Sequence, residues 1–278
     1  MTCQDRRGED SLKVDNAPER KVQVTQAEII KALTEAIDRG IIKYGDRLST
    51  TRELAEKYDT TQQTVAAALT VMAGMGLVQV QRGVGTKVIA GRRRQIKLGS
   101  YRSANRTVPT GTTAWKKENG NGSKEGPTTV SQMVTTEEDA DTGIPVGTEV
   151  VERTRTRFDG DDAPCQHKRT LVTVAAATLI PEGWAGLPPM MSPGDVIPPD
   201  GMSIAKWLGM GVVRVVYEIS TAPASGAAAA ALTLPEGTPS LRIVSKGLKE
   251  DDQVAYATVT TAPLRSSVSW EIQDDEVG

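Results

Sequence analysis

Three apolar stripes, followed by two alternating segments around a glycine-rich turn, constrain residues 25–90 more than any other feature constrains the chain. In the run TQAEIIKALTEAIDRG, Ile29, Leu33 and Ile37 recur at every fourth residue, which is the spacing of one helix face. A threonine at the start of this run is followed three residues later by a glutamate, the pattern of a capping box. The segment therefore predicts an amphipathic helix that needs a partner to cover its apolar face.

Two more helices and a hairpin follow directly. A second helix is expected to begin near residues 49–51, and a polar break, DTT, separates it from an alanine-rich third helix, QQTVAAALTVMAGMG. The next run, LVQVQRGVGTKVIA, alternates on both sides of a turn in which Gly83 and Gly85 supply positive φ angles. Three helices and a two-stranded wing, in this order, predict a winged helix-turn-helix.

The same residues are similar to those of a known family. The segment LSTTRELAEKYDTTQQTVAAALTVMAGMGLVQVQRGVGTKV resembles the N-terminal domain of the GntR family of bacterial transcription regulators. The pieces RELA, TV, AL, GLV and GVGTKV align with the family pattern in order and without a gap. The resemblance implies a domain that binds double-stranded operator DNA, and we assign it to residues 21–95.

The first turn of a recognition helix and the tip of a wing are the parts of such a domain that reach DNA. Gln62 and its neighbours occupy that first turn, and Arg82 forms the wing tip together with Gly83. The resemblance adds a contact from Arg52. The predicted DNA-binding residues are Ser49, Thr51, Arg52, Thr61, Gln62, Gln63, Thr64, Arg82 and Gly83.

Two positions depart from the family pattern. Gln62 and Ala66 stand where the family usually has arginines. Glutamine pairs well with N6 and N7 of adenine, whereas arginine prefers O6 and N7 of guanine. We therefore predict an A·T base pair at the position that Gln62 contacts, and we expect the basic run Arg92–Arg94 to restore electrostatic affinity.

The charges of the chain are distributed unevenly. Residues 1–106 contain 19 Lys and Arg against 12 Asp and Glu, whereas residues 107–278 contain 14 against 23. Between residues 82 and 106 there are eight basic residues and no acidic one. A basic N-terminal half favours a polyanion as partner, although a solvated charged face would have the same composition.

The rest of the chain divides into three parts. Residues 1–20 are polar and predict a flexible tail, and residues 96–127 are rich in Gly, Ser, Thr and Asn, which predicts a flexible linker. Residues 128–274 alternate like strands joined by short turns, which predicts an α+β domain around an antiparallel sheet. The runs GIPVGTEVVERTRTRFDGDDAP and LPEGTPSLRIVSKGLKEDDQVAYATVTTAPLR resemble the UTRA domain, the chorismate-lyase-like effector module of HutC-type regulators.

This second resemblance implies a small anionic effector that is held by an Arg-x-Arg strand. Arg155 and Arg157 match the motif, and a period of two places both on one face of the strand, where they suit an anion. The resemblance also implies effector contacts from Lys168, where the family often has glutamate, and from Tyr256 and Arg265. In the alternative interpretation, the arginines are only exposed cations on an edge strand.

Other functional classes have little support. Two cysteines and a single histidine, His167, supply neither a zinc site nor a catalytic pair, and we expect this histidine to lie at the surface. No catalytic residue, metal ligand or cofactor is predicted. The sequence has neither an apolar run long enough for a membrane span nor the apolar core of a signal peptide, so we expect a cytoplasmic protein.

The sequence thus predicts a DNA-binding repressor that acts as a homodimer on a palindromic site and responds to an effector. A dimer is expected because one small winged helix buries too little surface for tight, specific binding. Two alternatives stay open. One is a constitutive repressor, for example of mobile-element genes, whose C-terminal domain only dimerises. The other is a chorismate-lyase-like enzyme, which the lack of a recognisable acid–base pair disfavours.

Overall fold

The computed structural model describes residues 24–98, 122–199, 202–224 and 226–270. The predicted tail, most of the predicted linker and the last residues of the predicted C-terminal domain lie outside these ranges. Every helix in the described part of the chain is too short or too polar to span a bilayer.

The first described segment forms the predicted winged helix-turn-helix. Its helices and strands are α1 (Gln26–Asp38), α2 (Thr51–Lys57), α3 (Gln62–Gly74), β1 (Val78–Gln81) and β2 (Gly85–Val88). Thr25, Thr50 and Thr61 cap the three helices, each accepting a hydrogen bond from a backbone amide in the first turn. In α1 and α2 a glutamate side chain accepts a hydrogen bond from the backbone amide of the cap residue, so the capping box predicted for α1 is present and α2 has a second one.

One apolar core holds this domain together. On α1 the side chains of Ile29, Leu33 and Ile37 are buried, as their spacing predicts, and they pack in one cluster with Val65 and Met72 of α3. Each such side chain contributes about 1.5–3 kcal/mol when it is fully removed from water. The packing fixes α3 against α1 and leaves the first turn of α3 at the surface.

The second domain is built on one antiparallel sheet, which confirms the predicted α+β class. After the hairpin, the strands are β3 (Arg94–Leu98), β4 (Lys124–Glu125), β5 (Thr129–Val134), β6 (Glu149–Phe158), β7 (Pro164–Thr173), β8 (Arg214–Pro223), β9 (Pro239–Leu248), β10 (Val254–Pro263) and β11 (Ser266–Trp270). The strand order in the large sheet is β4–β6–β7–β10–β9–β8, and β5 pairs with β6 beside β4. The short helices are α4 (Val174–Ala177), α5 (Ile204–Trp207) and α6 (Gly226–Ala231).

Both described ends of the predicted linker are strands. Strand β3 pairs in parallel with β11, near the other end of the chain, and Ile96 at its centre is buried. Strand β4 pairs with β6 at the edge of the large sheet. The expectation of a flexible linker over 96–127 is therefore wrong at residues 96–98 and 124–125. Local composition could not reveal these pairings, because each partner strand is remote in sequence.

The pairing of β3 with β11 joins the two domains. Arg265, in the turn before β11, donates to the carbonyl of Gly91 at 3.0 Å and forms an ion pair with Asp38 of α1. Arg94 of β3 lies 3.5 Å from a carboxylate oxygen of Asp159, whose side chain is completely buried in the second domain. The domain interface therefore includes a backbone ladder, arginines paired with carboxylates, and an apolar cluster in which Ile96 packs against β9 and β10.

We predict that Arg265→Ala weakens this interface. The substitution removes the largely buried partner of Asp38, leaving only the exposed Arg93, and it takes the side-chain donor from the carbonyl of Gly91. The free energy of unfolding should therefore fall by about 1–3 kcal/mol. Arg214→Ala is the matched control, because Arg214 pairs with Asp252 at an exposed site, where such a pair contributes about 0–1 kcal/mol. Urea unfolding measures both variants. Equal losses would show that the contact with Asp38 does not stabilise the domain arrangement.

Candidate functional site

The first turn of α3 presents two amide side chains to solvent. Gln62 and Gln63 are exposed, and they follow directly on the helix cap. The cap itself uses Thr61, whose hydroxyl accepts from the amide of Thr64 at 3.1 Å and lies 2.8 Å from the Thr64 hydroxyl. Thr61 and Thr64 therefore shape the start of the helix, and the two glutamines are the side chains free to meet a base edge.

The wing lies beside this helix and ends in a tight turn. The amide of Val84 donates to the carbonyl of Gln81 at 3.1 Å, and Gly83 has a φ of 78°, which non-glycine residues rarely adopt. Arg82 is exposed at this tip. Its position allows the guanidinium to reach a DNA backbone or a minor groove.

Positive charge near this surface comes from outside the recognition helix. Helix α3 contains no charged residue. Arg47, Arg82 and Lys87 are exposed on or beside the wing and have no ion-pair partner within the residues that the structure describes. Arg52 lies 3.6 Å from Glu56 in an exposed pair on α2. Ser49 and Thr51, also predicted contacts, flank the Thr50 cap of the same helix.

The basic run Arg92–Arg94 does not lie free beside the wing. Arg92 Nε is 3.0 Å from Asp161, Arg93 Nε is 3.3 Å from Asp38, and Arg94 pairs with Asp159. The expectation that this run restores affinity for DNA phosphates therefore needs correction. These three cations are neutralised within the chain, which leaves the cations around the wing as the candidates for phosphate contact.

A second polar site lies in the C-terminal domain, on one face of β6 and β7. Arg155 and Arg157 both reach the same oxygen of Glu125: Arg155 Nη1 is 2.9 Å and Arg157 Nε is 2.7 Å from Oε1. The Glu125 side chain is 2% exposed, and the two arginine side chains are 16% and 17% exposed. The interpretation of these arginines as exposed cations on an edge strand is wrong, because β4, β5 and β7 flank β6.

Lys168 of β7 stands directly opposite Arg155 in the sheet register and thus on the same face. It makes no side-chain hydrogen bond or ion pair to any residue in the described part of the chain. Burial, followed by the neighbouring charges of Arg157 and Arg155, lowers the pKa of Lys168 to about 7. The face therefore combines three basic side chains, and of these only the amine of Lys168 has hydrogen-bonding capacity left over among the described residues.

A loop closes over this face. Asp195 forms an ion pair with Arg155, and Thr128 Oγ1 accepts from Arg155 Nε at 3.0 Å. Arg153, two residues earlier on β6, donates to the carbonyls of Met190 and Ser192 at 2.8 Å each. Arg153 thereby holds the loop on the sheet. No local pattern points to Glu125, Asp195 or Thr128, because these residues lie in glycine- or proline-rich segments.

The structure separates the other two predicted effector residues. Tyr256 of β10 pairs in register with Val172, so it shares the face of Lys168 but packs in the apolar cluster at the far end. Burial raises its pKa. Arg265 does not belong to this face at all, because it binds Asp38 and lines a cleft of about 460 Å³ between the domains.

His167 and Cys165 both lie on β7 and are buried. The expected surface location of His167 is therefore wrong, and burial lowers the pKa of its imidazole. The burial of Cys165 raises the pKa of its thiol to about 12, so it is no nucleophile at neutral pH. The described residues contain no cluster of His, Cys, Asp and Glu side chains suited to a metal ion.

Comparisons with known proteins bear on the N-terminal domain. Residues 25–88 match the family described as bacterial regulatory proteins, gntR family. No curated protein matches the chain significantly.

Several solved structures show an overall likeness at low identity. PhnF from Mycobacterium smegmatis is 20% identical, with 90% of this chain and 100% of that one covered and a TM-score of 0.42. YydK from Bacillus subtilis, described as a possible transcriptional regulator, is 16% identical, with 90% and 99% covered and a TM-score of 0.40. The effector domain of PhnF is 17% identical, with 64% and 99% covered and a TM-score of 0.41. At these identities and TM-scores, the similarity does not identify a ligand for this chain.

We predict that Lys168→Met stabilises the protein at low pH. The pKa of about 7 lies below the ordinary 10.5, so between these values the unfolded chain binds more protons, and stability of the native protein rises with pH. Methionine carries no charge, so the variant avoids the free-energy cost of burying a protonated lysine. Its advantage in urea unfolding should be largest below pH 7 and vanish near pH 10.5. Lys206→Met, at an exposed site on α5, is the control and should show no such trend.

Proposed function

We propose that this chain, whose N-terminal domain belongs to the gntR family of bacterial regulatory proteins, is a homodimeric repressor that binds operator DNA and responds to a small anionic effector. The match of residues 25–88 to that family is the observation on which the proposal depends. Members of the family are transcription regulators, so the chorismate-lyase-like enzyme considered from the sequence is set aside.

The proposed DNA contacts divide into two kinds. Gln62 and Gln63 read base edges in the major groove, because they are exposed in the first turn of α3 and carry both a donor and an acceptor. Arg47, Arg82 and Lys87 contact phosphates, because they are exposed near the wing and unpaired within the described residues. Specific recognition and electrostatic attraction therefore come from different elements.

Strand β8 supports a homodimer through the C-terminal domain. It is the last strand of the large sheet, it is ten residues long, and most of its side chains are exposed. Ile219 on this strand is 45% exposed and Val213 just before it is 64% exposed. A long edge with exposed apolar side chains invites pairing with another strand unless something covers it. A second copy would pair β8 with β8 about a two-fold axis, which matches a palindromic operator.

The cationic face of β6 and β7 supports an anionic effector. Arg155, Arg157 and Lys168 converge there, and Lys168 has no acceptor among the described residues. One observation favours the alternative of a constitutive repressor: the carboxylates of Glu125 and Asp195 already pair with Arg155 and Arg157.

Selection of genomic DNA fragments by the purified protein, with and without a pool of anionic metabolites, distinguishes the effector-responsive repressor from the constitutive one. A palindrome that is enriched only without one metabolite indicates an effector, and enrichment regardless of metabolite indicates constitutive repression.

We predict that Gln62→Arg changes the preferred base pair at one position of each half-site. The preference should move from A·T to G·C, by about 1–3 kcal/mol of discrimination, because arginine pairs with guanine. Selection from a randomised operator library measures the change. Gln95→Arg, which adds the same charge at an exposed position on β3, is the control and should leave the preferred sequence unaltered. An unchanged profile for Gln62→Arg would refute the assignment.

We predict that Arg82→Ala weakens binding to all DNA sequences alike. Losing one phosphate contact per head lowers the slope of log Kd against log salt by about 1 for each head. Arg92→Ala is the matched control, because Arg92 is already paired with Asp161. Its slope should stay near that of the unmodified protein. If both substitutions reduce the slope equally, the cations of the wing are not the special phosphate contacts proposed here.

A further inference from the structure

We propose that Glu125 is an internal ligand of Arg155 and Arg157, that the phosphoryl group of an effector displaces it, and that strand β4 leaves the sheet edge with it. This inference rests on the effector site proposed above. It adds the chemical class of the ligand and the element that responds to binding.

The carboxylate of Glu125 is only half satisfied in this site. Arg155 and Arg157 share a single oxygen, Oε1, whereas Oε2 is buried and has no hydrogen-bond partner. A buried carboxylate oxygen without a donor is costly, and moving Glu125 out of the site would relieve that cost. Lys168, on the same face, has no acceptor within the described residues. The same face thus holds one donor without an acceptor, the amine of Lys168, and one acceptor without a donor, Oε2 of Glu125.

A phosphoryl group matches these donors better than a carboxylate does. Its oxygens can accept from Arg155, Arg157 and Lys168 at the same time, whereas Glu125 engages only the first two. The charges also agree. When Glu125 leaves, Arg155 and Arg157 face one remaining carboxylate, Asp195, so the site keeps one positive charge, and Lys168 adds a second when a bound phosphate holds it in the protonated form.

The strand that holds Glu125 is short enough to be displaced. Strand β4 has two residues, Lys124 and Glu125, and pairs only with the end of β6. The next residue, Gly126, donates its amide to the carbonyl of Thr156 at 2.8 Å. Few backbone hydrogen bonds therefore oppose the release of this segment, in contrast to β5, which pairs with β6 over six residues.

The same strand contacts the turn that holds the DNA-binding domain. Lys124 Nζ lies 2.7 Å from Asp162, in the turn after β6. Two residues of this turn bind the run that follows the wing: Asp161 pairs with Arg92, and Asp159 pairs with Arg94. Displacement of β4 removes the contact of Lys124 and so alters the support of the turn. Effector binding is thereby coupled to the hold on the DNA-binding domain.

The test compares Glu125→Gln with the unmodified protein in calorimetric titrations with inorganic phosphate and with phenyl phosphate. Glutamine keeps the size of the side chain and removes its charge, so the variant should bind on the order of tenfold more tightly. Glu250→Gln, at an exposed turn position, is the control and should bind like the unmodified protein. The two ligands distinguish a free anion from a phosphate ester, and tighter binding of either one by Glu125→Gln supports the inference. Circular dichroism and thermal unfolding verify that the variants are folded.

Hydrogen exchange supplies the second measurement. Phosphate should speed exchange in the peptide that contains residues 122–128 and leave that of β5 unchanged. If phosphate binds and Arg157→Gln abolishes the binding, the result supports the effector site proposed on β6 and β7. If Glu125→Gln then binds no more tightly, or residues 122–128 stay protected, the internal-ligand inference is overturned. If neither the unmodified protein nor Glu125→Gln binds a phosphate, the effector site itself is overturned. Binding by Glu125→Gln alone supports the inference and indicates that Glu125 keeps the site closed.

Discussion

The hydrogen-bonded ladder of β6 is the constraint on which the C-terminal domain depends. β7 pairs with one edge of this strand, and β5 and β4 share the other. Because side chains alternate along a strand, the ladder sends Arg153, Arg155 and Arg157 to one face. Loop carbonyls bind the first, and two carboxylates bind the others. Three arginines on one face need hydrogen-bond acceptors, and these come from segments remote in sequence. The loop carbonyls and the carboxylates of Glu125 and Asp195 thereby cover the cationic face of β6 and β7.

Much of the N-terminal domain could be predicted from the sequence, because its determinants are local. Neighbouring residues of the stripe Ile29, Leu33 and Ile37 are four positions apart, and each capping threonine bonds to residues within three positions. The period of two in β6 likewise placed its arginines on one face. Glu125 could not be found in this way, since its partners belong to a strand that no local pattern connects to it. The wrong location of His167 has the same origin, because its burial depends on neighbouring strands.

The charge asymmetry of the sequence is real, but it overstates the surface available to a polyanion. Composition counts charges and says nothing about their partners. The run Arg92–Arg94 faces Asp38, Asp159 and Asp161, so some of the excess basic residues serve to join the domains.

The absence of charge from α3 has a consequence for the divergence of such regulators. Sliding along non-cognate DNA depends on phosphate contacts, and here those contacts belong to the wing and its surroundings. A substitution in the first turn of α3 can then redirect the protein to a new operator without slowing its search through the genome. After a gene duplication, two copies could separate their targets by one or two codon changes, while both keep the same response to salt and the same domain arrangement.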